Sequence, residues 1–95
     1  MSVYVDSMTP CAKNSRWNYS SSCHMFADSD DELHAMADAI GLKRAWFQNH
    51  RLLPHYDLVS SKRAQAVRLG AIEVDYQFVG ARLESIRQAK KEAEV

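Results

Sequence analysis

The chain has 95 residues, 46% hydrophobic and 25% charged, with twelve basic side chains against twelve acidic ones. That is one soluble-type domain's worth of chain, which excludes membrane-spanning, collagen-like, disordered and disulfide-scaffold classes. A net charge of zero also argues against a protein that holds nucleic acid in bulk through a global field.

The elements follow in chain order. Ser2-Val3-Tyr4-Val5, ending at Asp6, is a β-branched and aromatic run that reads as a strand. Residues 7–22 carry Pro10, Asn14, Asn18 and a run of serines without a sustained period. They read as a long loop that folds over something, because Trp17 and Tyr19 are out of place in a linker. Cys23 to Ala27 is a second short strand. Ser29 and Glu32 form a capping box, Leu33, Met36, Ala37 and Ile40 repeat at helical spacing, and Gly41 stands where a helix stops. After a mixed connection over 42–54, with Trp46 and Phe47 as core anchors, His55 to Val59 reads as a strand. Ser60 or Ser61 then caps a helix through Leu69, ended by Gly70. Ile72, Val74 and Tyr76 alternate with Glu73 and Asp75 as a strand, and Val79, Leu83 and Ile86 predict a third helix running into a charged tail at Lys90-Lys91-Glu92.

Strands separated by helices predict an α/β fold, a small two-layer sandwich of about four mainly parallel short strands with three helices. The whole chain, 1–95, is one domain, with no apolar run long enough for a membrane span and no leader pattern. Cys11 and Cys23 are too few and wrongly spaced for a disulfide framework, so reduced thiols and a cytoplasmic location are expected. The charges are segregated: residues 1–41 hold two bases against six acids, net −4, and residues 42–95 ten against six, net +4.

Strand alternation locates the candidate chemistry. Tyr4 with Asp6, His24 with Phe26, and His55 with Asp57 share faces, while the other sets are mainly apolar and belong under helices. Asp6, His24, His55 and Asp57 then converge on an uncovered face as candidate catalytic residues, able to act as a general acid/base pair or to hold a divalent metal. A second candidate is Ser60-Ser61-Lys62-Arg63, two hydroxyls and two cations at a helix start suited to a small anion, without the glycines of a phosphate-binding loop. The remaining histidines read as structural, His34 capping a neighbouring carbonyl and His50 exposed. Cys23 is no nucleophile, because His24 points to the other face.

Tyr4-Val5-Asp6, His24 with Ala27-Asp28, Glu32-Leu33-His34, Ala37, Ile40-Gly41, His55-Tyr56-Asp57, and Ala66 with Gly70-Ala71 occur in order. Together they resemble the small bacterial and phage proteins classed as domain of unknown function 4031, over about residues 2–76, with 77–95 outside the pattern. The class carries no activity, but the resemblance implies a shared polar site, since its positions His24, Asp28, His34, His55, Tyr56 and Asp57 are polar more than core.

The leading expectation is a domain binding a nucleotide-like or other phosphorylated small molecule. Lys62 and Arg63 hold its anion with Ser60 and Ser61, the His/Asp cluster and Asp28 meet its polar part, and Trp46 or Tyr56 stacks on a ring. The enzyme alternative is a metal-dependent hydrolase with His24, His55 and Asp57 as ligands and Asp6 or Asp28 as base. A third is a phage or host interaction module whose contact surface is the loop around Trp17 and Tyr19.

Overall fold

The computed structural model describes residues 2–14 and 17–93. Five short strands and three helices occur in the order β1 (Val3–Val5), β2 (Thr9–Pro10), β3 (Ser21–Ala27), α1 (Asp30–Ala39), a 3₁₀ turn (Arg44–Trp46), β4 (Tyr56–Leu58), α2 (Ser60–Arg68), β5 (Ile72–Glu73) and α3 (Tyr76–Ala93). The α/β class is as expected, but the sheet is mostly antiparallel. β3 is its central strand, antiparallel to β1, β2 and β4, and only β1 with β5 is parallel. The reason lies in the connections. A helix by itself returns the chain to the start of the preceding strand, which gives parallel pairing. After α1, however, residues 41–55 carry the chain a further strand length, closed by the Gln48–His55 bridge, so β4 enters reversed.

Met25 pairs with Val5 on one side and Tyr56 on the other, which fixes the register of the core face. Val5, Cys23, Met25, Tyr56 and Leu58 pack there against Leu33 and Ala37 of α1 and Ala66 of α2. Both helices stop as their glycines require. At Gly41 (φ 79°) the Leu42 N–H donates to the Ala37 carbonyl, and at Gly70 (φ 109°) the Ala71 N–H donates to Ala66, the Schellman arrangement in each case. The Ser29 hydroxyl accepts from the Glu32 N–H, as the capping box predicts, while the Glu32 carboxylate accepts from the Ser29 hydroxyl instead of the backbone N–H of a full box.

Several local expectations are corrected. The long loop contains β2, and β3 begins at Ser21 rather than Cys23. α2 starts after Val59 with no side-chain cap, so neither Ser60 nor Ser61 performs that role. The alternating run 72–76 yields only two strand residues, because the Asp75 carboxylate accepts from the Phe78 N–H and starts α3. The two-layer picture is also incomplete. Phe78 places its ring 5.0 Å from Tyr4 and 6.4 Å from Phe26, on the face opposite α1 and α2. Arg82 anchors the same helix through the Ala27 carbonyl and the Asp28 carboxylate. α3 therefore covers the aromatic end of the second face and leaves the polar end open. Among the described residues, no helix is long and apolar enough to cross a membrane.

Candidate metal centre

On the open end of that face, His24 and Asp57 are direct cross-strand partners, and Asp6 and His55 flank them just beyond β1 and just before β4. Asp6 accepts twice from His24, from the backbone N–H at 2.6 Å and from Nδ1 at 2.7 Å. His55 Nδ1 lies 2.7 Å from the Leu53 carbonyl. A carbonyl only accepts, so Nδ1 carries the proton and Nε2 keeps its lone pair. The same logic holds for neutral His24 against the Asp6 carboxylate. Both Nε2 atoms then face one carboxylate oxygen, Asp57 Oδ1, at 4.0 Å from His24 and 3.5 Å from His55. The rings stand edge to face, 5.0 Å apart. The other Asp57 oxygen accepts from the Gln48 side-chain amide.

His24, His55 and Asp57 offer one ligand atom each, all within 4.8 Å of one another. Bonds of about 2.0–2.1 Å to a tetrahedral zinc would set ligand atoms roughly 3.3 Å apart, so the cluster would have to close by up to about 1.5 Å to hold the ion. Each imidazole is oriented through its second nitrogen by a carboxylate or a carbonyl, the support that metal-binding histidines characteristically have. The Asp6 hydrogen bond is the main cause that raises the His24 pKa above its ordinary value; burial opposes it, and the charges of Asp6 and Asp57 add to it.

Asp57 also forms part of the wall of a cleft of about 460 Å³, with Trp17, Tyr19, Trp46, Gln48 and Lys62. Trp46 is half-exposed rather than a core anchor. Trp17 and Tyr19 meet edge to face at 5.3 Å, and the Trp17 indole N–H donates to the Ser21 carbonyl, which pins the long loop beside β3.

The other candidates are placed differently. Lys62 reaches the cleft wall, yet its ammonium donates to the Ile40 carbonyl at 2.7 Å, so it supplies the cation that the last turn of α1 lacks. Arg63 donates to the Asp6 carbonyl and to Glu73, which ties α2 to β1 and β5. Ser60 and Ser61 are exposed at the helix start. Asp28 is four residues beyond His24, about 13 Å along an extended strand, and is held by Arg82, Tyr4 and the Ser2 N–H. Arg82 is the main cause that lowers its pKa. Tyr56 is buried on the core face, where it bonds His34 Nδ1 at 2.9 Å, so it is not available to stack on a ligand. His34 accordingly meets a hydroxyl, not a carbonyl. Burial pushes the Cys23 thiol up to about 12, which removes it as a nucleophile. Asp6, with both oxygens on His24, orients a ligand and is poorly placed as a base. Gln48 and the Leu53 carbonyl were not legible as site groups: one is an ordinary polar residue in a connection, the other a backbone atom with no side-chain signature.

Fold and site together define a small α/β domain with a mixed, mostly antiparallel sheet and a His/His/Asp cluster at its open end. The chain belongs to the family described as "Protein of unknown function (DUF4031)", which it matches over residues 3–86, so that Phe78 and Arg82 of α3 lie inside the family region. No curated protein and no solved structure matches it.

Proposed function

We propose that His24, His55 and Asp57 bind one divalent metal ion and that the protein uses it to hold, and to hydrolyse, a nucleotide-like phosphorylated small molecule seated in the adjoining cleft. The observation that carries this reading is the paired orientation of the imidazoles. Asp6 and the Leu53 carbonyl engage both Nδ1 atoms, which aims two Nε2 lone pairs at one carboxylate. A general acid/base pair needs no such convergence, whereas a metal does. Three protein ligands leave a position for water, whose pKa a zinc ion lowers to about 7. In the net reaction the water oxygen forms the new P–O bond, the ester P–O bond breaks, and one water hydrogen goes to the leaving oxygen.

The cleft volume lies within the roughly 300–1,000 Å³ usual for small-molecule sites, and its indole and phenol rings suit a planar ring. The bases at the start of α2 are spent within the fold, Lys62 on the Ile40 carbonyl and Arg63 on Asp6 and Glu73, so the phosphate is left to the metal. The test is isothermal titration with zinc and with manganese, followed by hydrolysis of the p-nitrophenyl ester of thymidine monophosphate. One metal per chain, lost in His55→Ala together with turnover, is the expected result. No binding at millimolar metal by the folded wild type would overturn the proposal.

A further inference from the structure

Two histidines are held through Leu53 in opposite states. His55 turns Nδ1 to the Leu53 carbonyl, which puts the proton on Nδ1 and the lone pair on Nε2. His50 does the reverse. Its Nδ1 accepts from the backbone N–H groups of Leu52, at 3.2 Å, and Leu53, at 3.4 Å. A nitrogen that accepts carries no proton, so neutral His50 has its hydrogen on Nε2. One residue thus fixes both rings by their Nδ1 atoms, and each Nε2 is turned away from it. The ring centres lie 6.3 Å apart, with the planes tilted by 50°. His50 is exposed, and among the described residues no group accepts from its Nε2.

A cap for this turn needs only an acceptor, which an asparagine at position 50 would supply. The imidazole adds an N–H beyond the cap. In this state it cannot join His24, His55 and Asp57 as a ligand, because a ligand nitrogen must offer a lone pair. Moving the proton to Nδ1 would set it against two backbone N–H groups. Other donors near the cluster are already engaged, the Gln48 amide with Asp57, Lys62 with Ile40, and Arg63 with Asp6 and Glu73.

We infer that His50 is the neutral hydrogen-bond donor for the substrate phosphate, with its Nε2–H on one phosphoryl oxygen while the metal bound by His55 takes another. A metal bond of about 2.1 Å and a hydrogen bond of about 2.9 Å, made to two oxygens of one phosphate, suit rings at this spacing. No proton is transferred. The imidazole keeps its hydrogen and acts as a preorganised dipole toward the charge that grows on the phosphoryl oxygens in the transition state. This inference rests on the proposed metal-dependent reading for the reaction, whereas the tautomer and the phosphate contact can be measured apart from it.

The test uses two variants. His50→Asn keeps an acceptor for the Leu52 and Leu53 N–H groups and removes the outer donor, while His50→Gln puts an amide N–H near the Nε2 position. A donor shielded from water is worth about 100–1,000-fold in kcat, and the exposure of His50 sets the expected loss lower. With zinc-loaded protein and the p-nitrophenyl ester of thymidine monophosphate, His50→Asn should lose about tenfold in kcat with KM within about twofold, and His50→Gln should recover most of it. Zinc affinity and Tm of His50→Asn should match the wild type. In long-range proton–nitrogen NMR spectra, wild-type His50 should carry its proton on Nε2, and inorganic phosphate should shift that nitrogen. Three results would each overturn the inference: unchanged kcat in His50→Asn, a proton on Nδ1 of His50, or a roughly tenfold fall in zinc affinity in His50→Asn, which would make His50 a ligand. If the wild type binds no zinc, the metal reading falls by itself and the spectrum with inorganic phosphate in EDTA decides on His50. A shifted Nε2 then supports the contact, and an unmoved one refutes it.

Discussion

Asp6→Asn separates the orienting role of Asp6 from a merely structural one. The carboxylate is 14% exposed and accepts two short bonds from His24, one from the backbone and one from the imidazole. An amide keeps one acceptor oxygen, so the variant retains one of these bonds and loses the charge behind both. A hydrogen bond to a charged group contributes about 1.5–3 kcal/mol. The His24 side chain is 45% exposed, and solvent screening brings the expected loss to about 1–2 kcal/mol. For a domain of this size that is a fall of roughly 5–15 °C in Tm.

The loss depends on pH with a definite sign. His24 titrates above its ordinary value in the folded protein, so its contribution is fully present below the unfolded pKa of about 6.5 and disappears as pH rises through the raised folded value. The variant should therefore be more destabilised near pH 5.5 than near pH 8.5, read by urea denaturation at both. Imidazole NMR should show His24 titrating closer to its ordinary position. Removal of an orienting partner typically lowers metal affinity by about 10–100-fold, so zinc titration of the same variant should lose one to two orders of magnitude. Wild-type zinc affinity together with equal destabilisation at both pH values would refute the reasoning.

Two further outcomes follow from groups outside the cluster. With its thiol pushed up to about 12, Cys23 is ionised at pH 8 to about one part in ten thousand, so iodoacetamide should label partly exposed Cys11 in the folded protein and reach Cys23 only on unfolding. Equal labelling rates, followed by mass spectrometry, would contradict its burial. Arg82→Ala removes the tie from α3 to Asp28 and the Ala27 carbonyl, and amide exchange in α3 should accelerate while the α1 amides stay protected. The Asp28 pKa is lowered in the fold, so this tie is fully present above the ordinary carboxylate value and is lost as pH falls through the lowered folded value. The difference between variant and wild type should accordingly narrow in acid to what the Ala27 carbonyl bond contributes.

Much of this architecture is local and is written in the sequence. Ser29, Glu32 and Gly41 set the limits of α1 because capping and positive φ are properties of a few neighbouring residues. Alternation sorted Val5, Cys23, Met25 and Tyr56 from His24 and Asp57 because a strand has a period of two whatever its partners. Only the tertiary structure decided the rest. The length of chain folded between α1 and β4, not any residue type in it, reversed β4, and the return of the chain through the loop before β3 set β1 and β2 antiparallel to β3. Lys62, Arg63 and Tyr56 look like ligand groups in sequence, yet they are drawn to Ile40, Asp6 with Glu73, and His34, partners that come close only once the chain is folded. The state of the two imidazoles depends in the same way on Asp6, eighteen positions from His24, and on one backbone carbonyl at Leu53. The sequence determined which face carries the histidines; the fold determined which of their nitrogens face Asp57.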